Sequence, residues 1–171
     1  MTKIYRIIIF LTLINLPFST YAHIQHYEDL KRIEFDIYRN NKLIGTHIFS
    51  FKKLDGQLAV KSEINFKIKK FGIVFYTYHV EGTEIYEDGK LIKFNSKTNQ
   101  NGKEKYVNMI LENEEYTIDG SSYQGKVPED YLLGTWWNHS IVKAEAQISA
   151  VSGRIIKQEV TFLSKEIIKL G

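Results

Sequence analysis

The chain has no cysteine and only 2 prolines in 171 residues. Without cysteine there are no disulfides, no thiolate zinc sites, no thiol nucleophile and no lipid-modified lipoprotein anchor. Charge of one sign is also missing. The 23 Lys+Arg nearly balance the 20 Asp+Glu, which gives no case for a polyanion binder, so nucleic acid is not an expected partner. The hydrophobic fraction of 43% is enough for one ordinary core and excludes a disordered tail. Aromatics are plentiful, with 11 Tyr, 10 Phe and 2 Trp.

The first 22 residues have the layout of a secretory signal peptide. Lys3 and Arg6 precede an apolar run from Ile7 to Leu16, Pro17 breaks it, and Thr20-Tyr21-Ala22 offers a cleavage site after Ala22. The run is shorter than the ~20 apolar residues of a membrane span. Cleavage would remove two positive charges and leave 21 basic against 20 acidic residues, so the mature chain is nearly neutral. The expected location is the bacterial periplasm, with residues 23–171 forming a single domain.

Turn dipeptides divide that domain: Asn40-Asn41, Asp55-Gly56, Asp88-Gly89, Asn101-Gly102 and Asp119-Gly120. These residue types tolerate the positive φ angles of tight hairpins. The segments between them alternate apolar and polar side chains, most clearly at residues 57–69, where Leu58, Val60, Ile64, Phe66 and Ile68 share one face. Residues 33–37, 43–53, 73–87, 90–99, 103–112 and 155–163 read as further strands. Strands this long twist and coil, which predicts a curved antiparallel meander, a half-barrel. Pro128, Glu129 and Asp130 then resemble a helix start, and Leu132, Leu133, Trp136 and Trp137 recur at helical spacing. A short amphipathic helix over 128–139, packed on the concave face, is therefore expected.

The segment from Phe35 to Phe49, with Ile44-Gly45-Thr46-His47-Ile48-Phe49 at its end, resembles the opening of a secreted proteobacterial family of unknown function. Trp137-Asn138 and Ser152-Gly153-Arg154 are similar to its second signature. Gly45, His47, Asn138 and Gly153 are the motif positions. The wider likeness is to the periplasmic lipoprotein-carrier (Lol-type) half-barrel. It implies a fold and a compartment but no reaction. Members of the family continue with further strands, so Ile167 to Gly171 reads as an unfinished strand of a truncated chain or of an open sheet edge.

Few residues offer chemistry. No zinc-type histidine spacing, Gly-x-Ser-x-Gly elbow or phosphate-cradling glycine loop is present, and neither a cofactor nor a metal is expected. His23 and His26 lie at the mature N-terminus. His47, His79 and His139 would need to converge to form a metal-dependent active site. Lys67, Lys69 and Lys70 beside Phe71 form a small basic patch able to touch a membrane surface.

The aromatic set is more informative, because both faces of residues 73–80 are apolar. The leading expectation is a non-enzymatic carrier of a hydrophobic, acyl or lipid-like ligand, with Phe49, Phe51, Tyr76, Tyr78, Trp136 and Trp137 as its binding residues. The alternative is an envelope structural or interaction protein that binds a partner through an apolar surface or an open edge.

Overall fold

The computed structural model describes residues 30–166. The proposed leader, His23, His26 and the terminal segment 167–171 lie outside the described residues. Eight strands follow one another as an antiparallel meander: β1 (Arg32–Arg39), β2 (Lys42–Leu54), β3 (Gln57–Lys70), β4 (Ile73–Glu87), β5 (Lys90–Gln100), β6 (Lys103–Glu112), β7 (Glu115–Gly120) and β8 (Gln124–Pro128). Each pairs with the next. The sheet is not closed, since β1 and β8 stand at its two ends.

The turns explain this regularity. Asn40-Asn41, Asp55-Gly56, Asp88-Gly89 and Asn101-Gly102 all hold positive φ at both positions, the backbone of a twist-compatible two-residue hairpin. Asp119-Gly120 differs: it ends β7, and the reversal falls at residues 121–123. Two more hairpin turns, Asn113-Glu114 and Phe71-Gly72, have the same geometry.

Alternation puts one row of apolar side chains on the inner face. It runs through Phe49 and Phe51, Leu58 and Val60, Tyr86, Phe94, Val107 and Met109, then Tyr116 and Ile118. Three bulges shift this row where strict period two would break it. The shift between Ile85 and Tyr86 makes Ile92 the extra residue, so Leu91 and Phe94 are both buried although three positions apart.

Residues 131–157 cover part of this face. A small sheet is formed by β9 (Leu132–Leu133), β10 (Ala146–Ile148) and β11 (Ile155–Lys157), with β9 parallel and β11 antiparallel to β10. A 3-10 helix (His139–Lys143) links β9 to β10. Leu133, Trp137 and Ile148 join the core cluster. The Ser96 hydroxyl donates to the Ala150 carbonyl at 2.6 Å and pins the cover to β5.

The expected amphipathic helix over 128–139 is not formed. Pro128 closes β8 opposite Glu115, Leu132 and Leu133 pair with Gln147 and Ile148, and Trp136 takes a φ of 72°. Local preference for helix is weak here, because Gly134, Thr135, Asn138 and Ser140 are poor helix formers. Pairing with β10 offers the backbone a better partner, including the Gly134 amide donating to the Ile148 carbonyl at 2.9 Å. The cover on the inner face is therefore an irregular strand and loop rather than a helix. The expected strand over 155–163 stops at Lys157. At Gln158 one further backbone bond forms, its amide donating to the Glu145 carbonyl at 3.0 Å, while its side-chain amide donates to the Ala144 carbonyl at 3.0 Å and satisfies the end of the 3-10 helix.

Candidate functional site

Two features stand out on the inner face: a sealed carboxyl at its centre and an open groove at one end. Glu84 has no exposed surface. It lies between Val60 of β3 and Phe94 of β5 in the register, an apolar setting that disfavours charge. The Tyr86 hydroxyl donates to Oε2 at 2.5 Å and the Trp137 indole Nε1 donates to Oε1 at 2.9 Å. Burial pushes the carboxyl up to about 7, and these two donors hold it back from rising further. The buried Thr135 hydroxyl also lowers it slightly, although it makes no well-formed hydrogen bond. Tyr86 itself is driven well above its ordinary range by burial and then by the adjacent carboxyl.

Nearby, a cavity of about 230 Å³ is walled by Tyr86, Leu91, Tyr116, Leu133, Asn138 and Ile141. Lys90 and Glu129, both in its lining, are paired at 3.1 Å. Tyr116 is pushed up to about 12 by burial and by Glu129. Glu84 is not part of this wall. Its carboxyl is enclosed by its own donors and has no opening through which to reach a substrate.

The groove lies where the cover ends. β2 pairs with β3 only as far as Gly45↔Phe66, and β4 pairs with β5 only as far as Tyr78↔Gln100. Thr77 still bonds the β5–β6 turn, accepting the Asn101 amide at 2.8 Å and donating to Asn101 Oδ1 at 3.4 Å, and past it β3 and β4 continue as a two-stranded finger, Ile68↔Tyr76 to Lys70↔Ile73, closed by Phe71-Gly72. At its base Phe66 stacks against Tyr78 at 5.0 Å and against Tyr76 at 6.0 Å between ring centres. A groove of about 440 Å³ opens over this ladder, lined by Arg39, Phe66, Ile68, Lys70, Phe75 and Tyr76. The bulge between Ile68 and Lys69 makes Phe75 the extra residue, and Phe75 joins Tyr76 in the groove wall although strict alternation would separate them. Burial, then the neighbouring Tyr76, raises the Tyr78 hydroxyl above its ordinary range. Among the described residues no carboxylate pairs with Arg39 or Lys70.

The residues singled out from the sequence divide between these places. Phe49, Phe51 and Trp137 are in the core, where Trp137 meets Phe51 edge-on at 5.5 Å and Tyr86 at 5.6 Å. Tyr76 and Tyr78 are half-buried beside Phe66. Trp136 is 70% exposed, away from its neighbour's packing. Gly45 permits a close approach of two strands: a Cβ there would lie 2.0 Å from the Asn65 carbonyl oxygen and 2.4 Å from the Phe66 Cβ. His47 is half-buried with its ring 4.2 Å from Phe49, and burial lowers its pKa. Asn138 caps the 3-10 helix by accepting the Ser140 amide at 3.0 Å. Gly153 holds a φ of 77° and donates its amide to the Ser149 carbonyl.

The three histidines do not converge. His47 shares the inner face with Phe49, whereas His79 points to the outer face, where it meets Glu81 at 3.5 Å. No group of three or more His, Asp or Glu among the described residues is arranged to hold a metal ion.

Glu84 and Phe66 were not among the expected site residues. Their signal was present in the alternation: Val80, Gly82, Glu84 and Tyr86 share a face, so a carboxylate in an apolar row was already visible.

Residues 35–171 match the family DUF6134, described as a domain of unknown function. No curated protein and no solved structure matches the chain.

Proposed function

The chain belongs to the DUF6134 family, and for it we propose non-covalent binding or carriage of a hydrophobic, acyl or lipid-like ligand in the periplasm. The observation that carries this reading is the Tyr78–Phe66–Tyr76 ladder beneath an open groove of about 440 Å³, at the end of the inner face that residues 131–157 leave uncovered. That volume is in the range of small-molecule sites, which are mostly apolar with few polar groups. Burying about eight methylenes would contribute about 6 kcal/mol before the cost of ordering the ligand. Arg39 and Lys70 in the wall suit an anionic end on such a ligand. The layout of residues 1–22 supports export, and the open meander of long strands accords with the half-barrel of lipoprotein carriers.

Native mass spectrometry of the protein purified from the periplasm tests this reading. The expected result is a bound lipid-sized mass that disappears in the Phe66→Ala/Tyr76→Ala double variant. A ligand-free wild type, together with no binding of added long-chain fatty acid, would sink it.

One observation favours a second reading, an envelope interaction protein. The edge strand β1 carries Phe35 and Tyr38, both exposed, beside a backbone edge with no partner strand among the described residues. Arg32, Glu34, Asp36 and Arg39 blunt that edge, which is why the ligand reading ranks first.

A further inference from the structure

We propose that the β3–β4 finger is a membrane anchor that inserts its tip end-on into an anionic lipid bilayer, with Phe71 leading and Lys67, Lys69 and Lys70 on the headgroups. This goes beyond ligand binding in the groove and does not depend on it.

The turn itself is the first observation. Asn40, Asp55, Asp88, Asn101 and Asn113 open the other two-residue hairpin turns of the sheet, all with φ between 48° and 60°. Asn and Asp tolerate that left-handed backbone and are soluble at a tip. The β3–β4 turn instead opens with Phe71, at a φ of 52° and 90% exposed. An aromatic side chain gains nothing from this backbone and loses from exposure to water.

The residues behind the tip point the same way. Ile73, Val74 and Phe75 are all exposed, and together with Phe71 they surround the end of the finger rather than forming one flat stripe. A protein partner would cover one face, whereas a bilayer surrounds a tip. Residues 64–80 contain Lys67, Lys69 and Lys70 and no Asp or Glu. The Lys70 ammonium lies 5.4 Å from the Phe71 ring centre. Long lysine stems allow these charges to sit at the headgroups while the apolar residues go deeper.

Reach is sufficient. Past the Thr77–Asn101 bonds, from Ile68 to Phe71, the finger extends about 10 Å beyond the β5–β6 turn at ~3.4 Å per residue, which matches the penetration of ~5–10 Å for interfacial anchors. A two-stranded hairpin standing alone in water is marginally stable, so this one gains from a second medium. Ile68, Lys70 and Phe75 also line the groove, so insertion would bring the groove's mouth to the lipid surface.

Flotation of the mature protein with phosphatidylglycerol/phosphatidylcholine vesicles, and with phosphatidylcholine alone, tests the anchor. Binding is expected to the anionic vesicles, weakening as salt rises. Lys67→Gln/Lys69→Gln/Lys70→Gln should reduce it about a hundredfold, at about one kcal/mol per lysine. Phe71→Asn should reduce it at least about tenfold while leaving urea stability unchanged or higher, because Asn suits the turn; loss of folding therefore cannot account for the result. Phe71→Trp should shift its emission to the blue on anionic vesicles.

The proposal is overturned if wild type ignores anionic vesicles at low salt, if Phe71→Asn binds as well as wild type, or if the Phe71→Trp emission does not move. Self-association abolished by Phe71→Asn without vesicle binding would likewise overturn it and assign the finger to a second copy of the chain. Vesicle binding by Phe66→Ala/Tyr76→Ala protein, with no ligand ever found, would uphold the anchor and reject the groove.

Discussion

The Trp137 indole nitrogen lies 2.9 Å from a Glu84 carboxylate oxygen, and this bond ties the covering segment to the middle of the sheet. Phe51 and Tyr86 flank the indole edge-on, so Trp137 is at once a core residue and a polar partner. A buried carboxyl that loses a donor keeps its desolvation penalty and loses the compensation.

Trp137→Phe is therefore expected to destabilise the fold by about 1–3 kcal/mol through the unpaired acceptor alone. Trp137→Ala should cost about 3–5 kcal/mol, because a cavity is added. Trp136→Gly should be neutral or stabilising, since that position is exposed and has a φ of 72°. Urea denaturation of the three variants checks the contrast between adjacent tryptophans.

Stability should also depend on pH through Glu84. Its folded-state pKa of about 7 lies above the ordinary 4.5, so the folded protein binds the proton more tightly than the unfolded chain does. The resulting stabilisation, about 3 kcal/mol, is complete below about pH 4.5 and is lost as pH rises through about 7. His47 acts in the opposite sense: its lowered pKa adds stability above its ordinary 6.5 that is lost as pH falls. Glu84→Gln isolates the carboxyl. The stability of wild type relative to this variant should fall by about 3 kcal/mol between about pH 4.5 and pH 8, and a flat difference would refute the assignment.

Gly45→Ala should be severely destabilising, by about 3 kcal/mol or more, because its Cβ would lie 2.0 Å from backbone oxygen of the neighbouring strand. Gly56→Ala meets no atom within 4 Å and suffers only the left-handed penalty, about 1–2 kcal/mol. Thermal melts of the pair distinguish strand packing from turn strain.

Phe71→Asn is expected to raise stability by up to about 1 kcal/mol, as the substituted residue tolerates a φ of 52°. Chemical denaturation in the absence of lipid measures it. A loss of more than 1 kcal/mol would mean that the ring contributes packing to the free protein.

Much of the sheet was legible from the residues alone. Residues 73–87 and 103–112 were read with the observed limits of β4 and β6, and four turn dipeptides marked four of the hairpins. The site was only partly legible. Tyr76 and Tyr78 do border the groove region, but Phe49, Phe51 and Trp137 fill the core, and the aromatic stripe of 132–137 misled because period 3.6 also fits a chain whose Leu133 and Trp137 merely point inward.

The sequence by itself determined the meander, because turn geometry and strand alternation are local: Asn and Asp at a two-residue turn accept positive φ without help from across the sheet, and period two requires only the next residues. Tertiary structure decided the rest. Competition from β10 made residues 132–133 a strand, burial on the covered inner face pushed the Glu84 carboxyl up to about 7, and the early ends of the β2 and β5 pairings left residues 68–76 as a finger. Each of these depends on contacts between segments far apart in the chain, and no local pattern specifies which partner reaches a given backbone or side chain first.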